Sequence, residues 1–160
     1  MTYDLIVLGG GPAGYLGAER ASGAGLKTLL VEKKHIGGVC LNEGCIPTKT
    51  LLYSAKIFDS ARNGGKYGIA AKDISLDHGA VLARKDKVVK TLVAGIKSKL
   101  KKNGVDVVEG IGEIEGKSED GYTVRAGGET FAGKRLLIAT GAVPVIPPIP
   151  GIKEGIERGY

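Results

Sequence analysis

Short apolar runs broken by glycine clusters organise the start of the chain. Residues 3–8 form an apolar run that predicts a buried parallel strand. A glycine cluster follows, and residues 13–24, with four Ala and Leu16, predict a helix. Residues 28–31 are apolar again and predict a second strand. Strand, helix and strand span about 30 residues, the size of one β-α-β nucleotide-binding unit. Residues 35–44 show no period and predict an irregular segment, followed by a helix over about 47–62 that Asn63-Gly64-Gly65 stops. Residues 65–75 predict a loop.

A long helix is expected over 76–102. Val81, Leu82, Val88, Val89, Leu92, Val93, Ile96 and Leu100 recur every three or four residues, which predicts one buried stripe. Lys102-Asn103-Gly104 closes it with a cation and a capping glycine. Short apolar stretches at 105–109, 111–115, 122–125 and 129–131 follow. Turns at 117–121 and 127–128 make the last three a small antiparallel meander. Residues 135–139 are apolar and predict a return to the parallel sheet. Pro144, Pro147, Pro148 and Pro150 exclude helix and central strand beyond that point. The segment reads as an extended exit, and the last ten residues carry no core pattern. The pattern as a whole is α/β: a parallel sheet, flanking helices and a small antiparallel meander.

The 160 residues amount to one domain. Glycine is the compositional anomaly: 27 of 160, against a usual share of about 7%. Many of these glycines border hydrophobic runs, as turn and cofactor-loop glycines do. No apolar stretch approaches the roughly 20 residues of a membrane-spanning helix. Asp4 follows the first three residues directly, and the apolar run 5–8 is far shorter than the core of a signal peptide. A cytoplasmic protein that does not enter the membrane is expected. The net charge of +6 owes much to lysines between 85 and 102, which read as a solvated helix face or a patch for an acidic partner. Few aromatic residues are present and none interleave with those lysines, so no nucleic acid partner is expected.

Gly9-Gly10-Gly11-Pro12-Ala13-Gly14 fits G-x-G-x-x-G between a predicted strand and a predicted helix. Gly9 would allow the tight turn, Gly11 a close backbone approach to a pyrophosphate, and Gly14 close packing of helix on strand. The pyrophosphate would sit at a positive helix N-terminus. Glu32 ends the second strand, where a carboxylate can accept hydrogen bonds from ribose hydroxyls and would repel a 2′-phosphate. The loop alone does not separate FAD from NAD.

The two cysteines, Cys40 and Cys45, stand five apart. In a regular helix such residues rise about 7.5 Å and rotate apart. A disulfide needs Cα atoms closer than about 7 Å. Asn42 and Gly44, poor helix formers, allow a distorted turn that could unite them, and Pro47 would help fix a helix start. A bond closing so small a loop suits redox chemistry better than stapling. Spacing alone leaves two readings, a redox pair and two ordinary buried thiols. A zinc site is not expected, because only His35 and His78 remain and no second ligand pair has the required spacing.

The stretch Gly37-Gly38-Val39-Cys40-Leu41-Asn42-Glu43-Gly44-Cys45-Ile46-Pro47-Thr48-Lys49 resembles the active-site signature of the pyridine nucleotide-disulfide oxidoreductases. The branch it is most similar to oxidises dihydrolipoamide. Members that reduce mercuric ion or glutathione disulfide share the frame but typically carry Val where Leu41 and Ile46 stand here. The resemblance extends over nearly the whole chain, through the loop at 9–14, Glu32, Gly110-Ile111-Gly112 and Ala139-Thr140-Gly141. It implies a Rossmann-like FAD-binding domain over residues 1–150 and an exit linker over 151–160 toward an NAD-binding domain outside this chain.

The resemblance also implies roles. Cys40 would be the interchange thiol and Cys45 the thiolate against the flavin ring, with Lys49 near the flavin N5. Gly9, Gly11, Pro12, Ala13, Gly14, Glu32 and Lys33 would bind the ADP half of FAD. Gly38, Val39 and Cys40 would line the flavin side. Gly112 would meet the adenine end through its backbone, and Ala139, Thr140 and Gly141 would lie near the pyrophosphate. The implied reaction passes electrons from dihydrolipoamide through Cys40–Cys45 and FAD to NAD⁺. The implied partners are the lipoyl carrier domain of a 2-oxo acid, acetoin or glycine-cleavage complex, and a second copy in a homodimer. The family's His-Glu base lies in its interface domain and matches neither His35 nor His78, so the isolated piece is expected to be inactive.

Val39, Glu43 and Thr48 depart from the usual Thr, Val and Ser, and Glu43 is expected to face solvent. The competing readings are reduction of mercuric ion, glutathione disulfide or coenzyme A disulfide, a flavin-binding module without catalysis, and an interaction domain built on the lysine-rich helix.

Overall fold

The computed structural model describes residues 2–158. Its elements in chain order are β1 (Thr2–Tyr3), β2 (Leu5–Leu8), α1 (Pro12–Gly23), β3 (Thr28–Glu32), α2 (Gly38–Asn42), α3 (Cys45–Arg62), α4 (His78–Lys102), β4 (Asp106–Glu109), β5 (Glu113–Ser118), β6 (Gly121–Ala126), β7 (Glu129–Gly133), β8 (Leu136–Ile138) and α5 (Ile152–Glu157). A single 3-10 turn, Gly64–Tyr67, follows α3.

Two sheets form. The first is wholly parallel in the order β4-β3-β2-β8, with Ile6 opposite Leu29 on one side and Leu136 on the other. The second, β1-β7-β6-β5, is an antiparallel meander to which β1 adds a parallel edge. Alternation along the central strands splits the core in two. Ile6, Leu8, Leu29 and Val31 meet Tyr3, Val124 and Ala126 of the meander. Val7 and Leu30 face the other way, onto Ala18 of α1 and Leu100 of α4. The strands are apolar at nearly every position because both faces of the sheet are covered. Complete burial of a side chain such as Ile6 or Leu29 stabilises by about 1.5–3 kcal/mol.

The expected strand over 3–8 is two strands. Asp4 is the break: its carboxylate accepts from the Lys27 N–H at 3.0 Å and the Lys134 Nζ at 2.7 Å, and its own N–H bonds the Lys27 carbonyl at 2.8 Å. The chain changes sheets at this residue. The expected irregular segment 35–44 contains α2, because the Asn42 side chain donates back to the Gly38 carbonyl at 2.9 Å and the Ile36 carbonyl at 3.2 Å. The long helix begins at His78, where Asp77 caps it by accepting from the Ala80 N–H at 3.0 Å. Its apolar stripe is only partly covered: Leu100 is buried, Val81, Val88, Val89, Val93 and Ile96 are half-buried, and Leu82 and Leu92 are exposed. The first meander strand starts at Glu113 rather than 111, because Gly112 lies against the Leu8 and Val31 side chains instead of in the ladder. Residues 142–149 form neither helix nor strand, as the prolines require, and the Ile149 N–H turns back to the Pro147 carbonyl at 2.8 Å. Residues 152–157 then form α5, a short helix with no buried residue where featureless linker was expected. The last two residues of that expected linker, 159 and 160, lie outside the described residues.

Candidate redox and nucleotide site

The C-terminal ends of β2, β3 and β8 converge on the glycine loop. The Gly9 N–H bonds the Val31 carbonyl, and the Ala139 N–H bonds the Leu8 carbonyl, both at 2.8 Å. Gly9 has φ +102°, and a Cβ there would lie 2.3 Å from the Ala139 carbonyl oxygen. A Cβ on Gly14 would lie 1.7 Å from the Gly9 carbonyl oxygen, so α1 reaches the strand end only because residue 14 is glycine. Gly11 is different. A Cβ there would meet nothing nearer than the Gly38 Cα, at 3.9 Å. Gly11 also begins α1 without any side-chain cap, and Pro12 fills the first turn. The first N–H groups of α1 therefore remain without a capping side chain beside open space.

Glu32 closes the corner at the end of β3. Its carboxylate accepts from the Gly10 N–H at 2.6 Å and from the Lys34 N–H at 2.7 Å. Lys33 beside it is exposed, as are Thr140 and Gly141 across the loop, while Ala139 packs into the helix-side core. Gly112 sits over the ends of β2 and β3, where a Cβ would lie 2.6 Å from Leu8 Cδ2.

The redox segment is tied to this loop by backbone. The Gly37 N–H bonds the Gly10 carbonyl at 2.8 Å, and a Cβ on Gly38 would lie 2.7 Å from the Gly11 Cα. Cys40 lies in α2 and Cys45 opens α3. Between them Gly44, with φ −127° and ψ −105°, departs from helical geometry. That break does what a regular helix could not: it brings the two Cα atoms to 4.6 Å, and Cys40 and Cys45 are joined as a disulfide. Lys49 stands one turn beyond Cys45 on the same face of α3 and is exposed.

Two features of the site had no sequence signal. Lys34 forms an ion pair with Glu43, one of the four residues between the cysteines, and this hydrogen bond holds the Glu43 carboxyl below its ordinary range. Arg84 of α4 donates to the Thr50 carbonyl of α3 at 3.2 Å and lies over the Tyr53 ring. Thr50 is itself buried, with its hydroxyl on the Ile46 carbonyl at 2.8 Å. These bonds fix the helix that carries Cys45.

The family model for "Pyridine nucleotide-disulphide oxidoreductase" matches residues 3–159. The chain belongs to that family. Dihydrolipoyl dehydrogenase of Acholeplasma laidlawii is 46% identical over 158 residues, covering 98% of this chain and 46% of that protein. Dihydrolipoyl dehydrogenase of Mycoplasma pneumoniae is 45% identical, covering 100% of this chain and 34% of that protein. The chain therefore spans between a third and a half of these relatives. Among solved structures, the HOCl-induced flavoprotein disulfide reductase RclA from Escherichia coli, in its Cu(II) complex, aligns with a TM-score of 0.74 at 30% identity over 94% of this chain and 30% of its own. The Rossmann-like α/β fold is that of a flavoprotein disulfide reductase. Val39, Glu43 and Thr48 are all exposed. Among the described residues no helix is long and apolar enough to cross a membrane.

Proposed function

We propose that this chain is the FAD-binding and redox-disulfide part of a dihydrolipoyl dehydrogenase, which oxidises dihydrolipoamide to lipoamide with NAD⁺ as final acceptor. The observation that carries the reading is the Cys40–Cys45 disulfide at the N-terminus of α3, held by backbone contacts against an uncapped glycine-loop helix.

The residues present fit FAD. Gly11 faces open space where a side chain would intrude on a pyrophosphate, and the uncapped N–H groups of α1 suit its charge. Pro12, Ala13 and Gly14 form that first turn. Glu32 has the chemistry to exchange its two backbone donors for ribose hydroxyls. Lys33 and Gly112 would border the adenosine, and Gly38, Val39, Ala139, Thr140 and Gly141 would line the remaining path. Bound FAD supplies the two-electron acceptor that links the cysteine pair to NAD⁺.

The work of the chain's own residues is thiol–disulfide exchange. A dihydrolipoamide thiolate attacks Cys40 Sγ, the Cys40–Cys45 bond breaks, and Cys45 leaves as a thiolate. The second substrate thiolate then displaces Cys40, so lipoamide departs with its disulfide closed and the protein keeps two electrons as a dithiol. Placement at the start of α3 favours the Cys45 thiolate, because the positive end of the helix dipole lies there. Lys49, one turn along, would face the flavin from the same side. The base that receives the substrate protons lies outside the residues of this chain.

The same reading extends to surroundings. The lipoyl carrier domain of a 2-oxo acid, acetoin or glycine-cleavage complex would deliver the substrate, and the whole enzyme would be a homodimer. The cytoplasm suits a cysteine pair that must cycle between disulfide and dithiol. The reading is tested by mass spectrometry after dihydrolipoamide treatment and alkylation. Two added alkyl groups, on Cys40 and Cys45, are expected; a chain that stays unalkylated would exclude dihydrolipoamide as the reductant.

A further inference from the structure

We propose that Lys34 and Glu43 form a positioning pair that ties the nucleotide-binding strand end to the redox turn and neutralises a carboxylate placed between the two cysteines. The proposal rests on the redox reading of Cys40 and Cys45.

Lys34 contacts two carboxylates. Its backbone N–H donates to Glu32 Oε1 at 2.7 Å, while its ammonium pairs with Glu43. The other Glu32 oxygen accepts from the Gly10 N–H at 2.6 Å. An unbroken polar path thus runs from the glycine loop through Glu32 and Lys34 to Glu43. Glu43 is the residue that ends α2: its N–H bonds the Val39 carbonyl at 2.8 Å, and it lies three residues after Cys40 and two before Cys45. Both side chains of the pair are about half exposed, at 61% and 47%. An ion pair so exposed adds little to folding stability. Its effect falls on the neighbouring sulfurs.

The thiolate is the species that exchanges, and a bare carboxylate nearby disfavours it. The charged and titratable residues close to the cysteines in sequence or bonded to Lys34 are Glu32 at the end of β3, Lys33, Lys34 and His35 after it, Glu43 in the turn, and Lys49 in α3. Glu32 and Glu43 are the two anions of this set, and Glu43 is the one that lies between the cysteines in sequence. Hydrogen bonding from Lys34, and then its charge, hold the Glu43 carboxyl below its ordinary value, with a smaller contribution from His35. Removing Lys34 therefore leaves an unpaired negative charge beside the dithiol, and removing Glu43 as well takes that charge away.

The test measures the reduced chain, with neither flavin nor lipoamide present. The rate of iodoacetamide alkylation is followed against pH for the unsubstituted chain, Lys34→Met, Lys34→Arg, Glu43→Gln and the Lys34→Met/Glu43→Gln double variant. Lys34→Met should slow alkylation at pH 7 by roughly threefold, the effect of one charge several ångströms away in water, and move the profile to higher pH. Lys34→Arg should restore the original profile. The Lys34→Met/Glu43→Gln double variant, which restores the charge balance of the original pair, should return close to the original rate. In parallel, each disulfide is equilibrated with glutathione, in which two GSH become GSSG as the protein disulfide becomes a dithiol. Lys34→Met should shift that equilibrium toward the disulfide. A Lys34→Met profile superimposable on the original, or a double variant as slow as Lys34→Met, would overturn the proposal. Failure of dihydrolipoamide to reduce the disulfide would remove the functional reading while leaving these alkylation results intact.

Discussion

The carbonyl oxygen of Gly9 occupies the space that a side chain on Gly14 would need, 1.7 Å from the position of its Cβ. Gly11, three residues earlier, has open space at the same position. The two glycines of one motif are thus required for different reasons, one for packing and one for what approaches the loop. Gly14→Ala should cost about 2–4 kcal/mol, since the obstruction is backbone and not a movable side chain. Thermal unfolding should show it as a fall of several degrees. Gly11→Ala should leave the melting temperature within about a degree and weaken FAD binding at least tenfold, read by flavin fluorescence.

The cysteine pair divides stability from chemistry in a similar way. Cys40→Ser opens a loop so short that the chain-entropy model assigns it roughly 2 kcal/mol. The Cys45 thiol left behind lies at the start of α3, whereas the Cys40 thiol left by Cys45→Ser lies within α2. Alkylation near pH 7 should be several-fold faster for Cys45 in Cys40→Ser than for Cys40 in Cys45→Ser. Equal rates would withdraw the assignment of Cys45 as the stabilised thiolate.

Tyr3 donates its hydroxyl to Asp106 at 3.0 Å and links the meander's β1 to the edge strand β4. Burial, and then Asp106, raise the Tyr3 hydroxyl above its ordinary value. A raised value means that ionisation is harder in the folded state. The resulting stabilisation is full below about pH 10 and is lost as pH rises through the folded value. Denaturant unfolding at pH 9 and pH 11 should show a larger alkaline loss in the unsubstituted chain than in Tyr3→Phe. At neutral pH Tyr3→Phe should cost about 1 kcal/mol.

Asp4 behaves in the opposite sense. Hydrogen bonds from Lys134 and then from the Lys27 backbone hold its carboxyl below the usual range. Its contribution is present above the ordinary carboxylate value and is lost as pH falls through the depressed one. Asp4→Asn should lower stability at pH 6 and flatten the decline below about pH 4, measured by the same unfolding curves.

Local pattern made the β-α-β start, the meander and the role of Gly14 legible, because each follows from residues close in sequence. The cysteine pair was legible in part: spacing showed that a regular helix would hold the thiols apart, and Gly44 marked where it breaks. The split at Asp4 was not readable, since its cause is pairing of Thr2 and Tyr3 with Ala132 and Gly133, far along the chain. Lys34–Glu43 and Arg84–Thr50 join residues with no common period, so no pattern points to either. The period of the α4 stripe predicts burial, but coverage depends on neighbouring elements, and these cover only part of it. α2 was missed because five residues are too few to display a helical period, and the Asn42 side chain that closes it acts locally.

The most direct test is the visible spectrum of the chain mixed with FAD, desalted, and titrated with dihydrolipoamide. The expected result is flavin retained with the protein and, on reduction, a long-wavelength band from the Cys45 thiolate against the oxidised ring, absent in Cys45→Ser. Flavin that elutes free, or stays bound without that band, would contradict the assignment of this chain as the part that joins FAD to the Cys40–Cys45 pair.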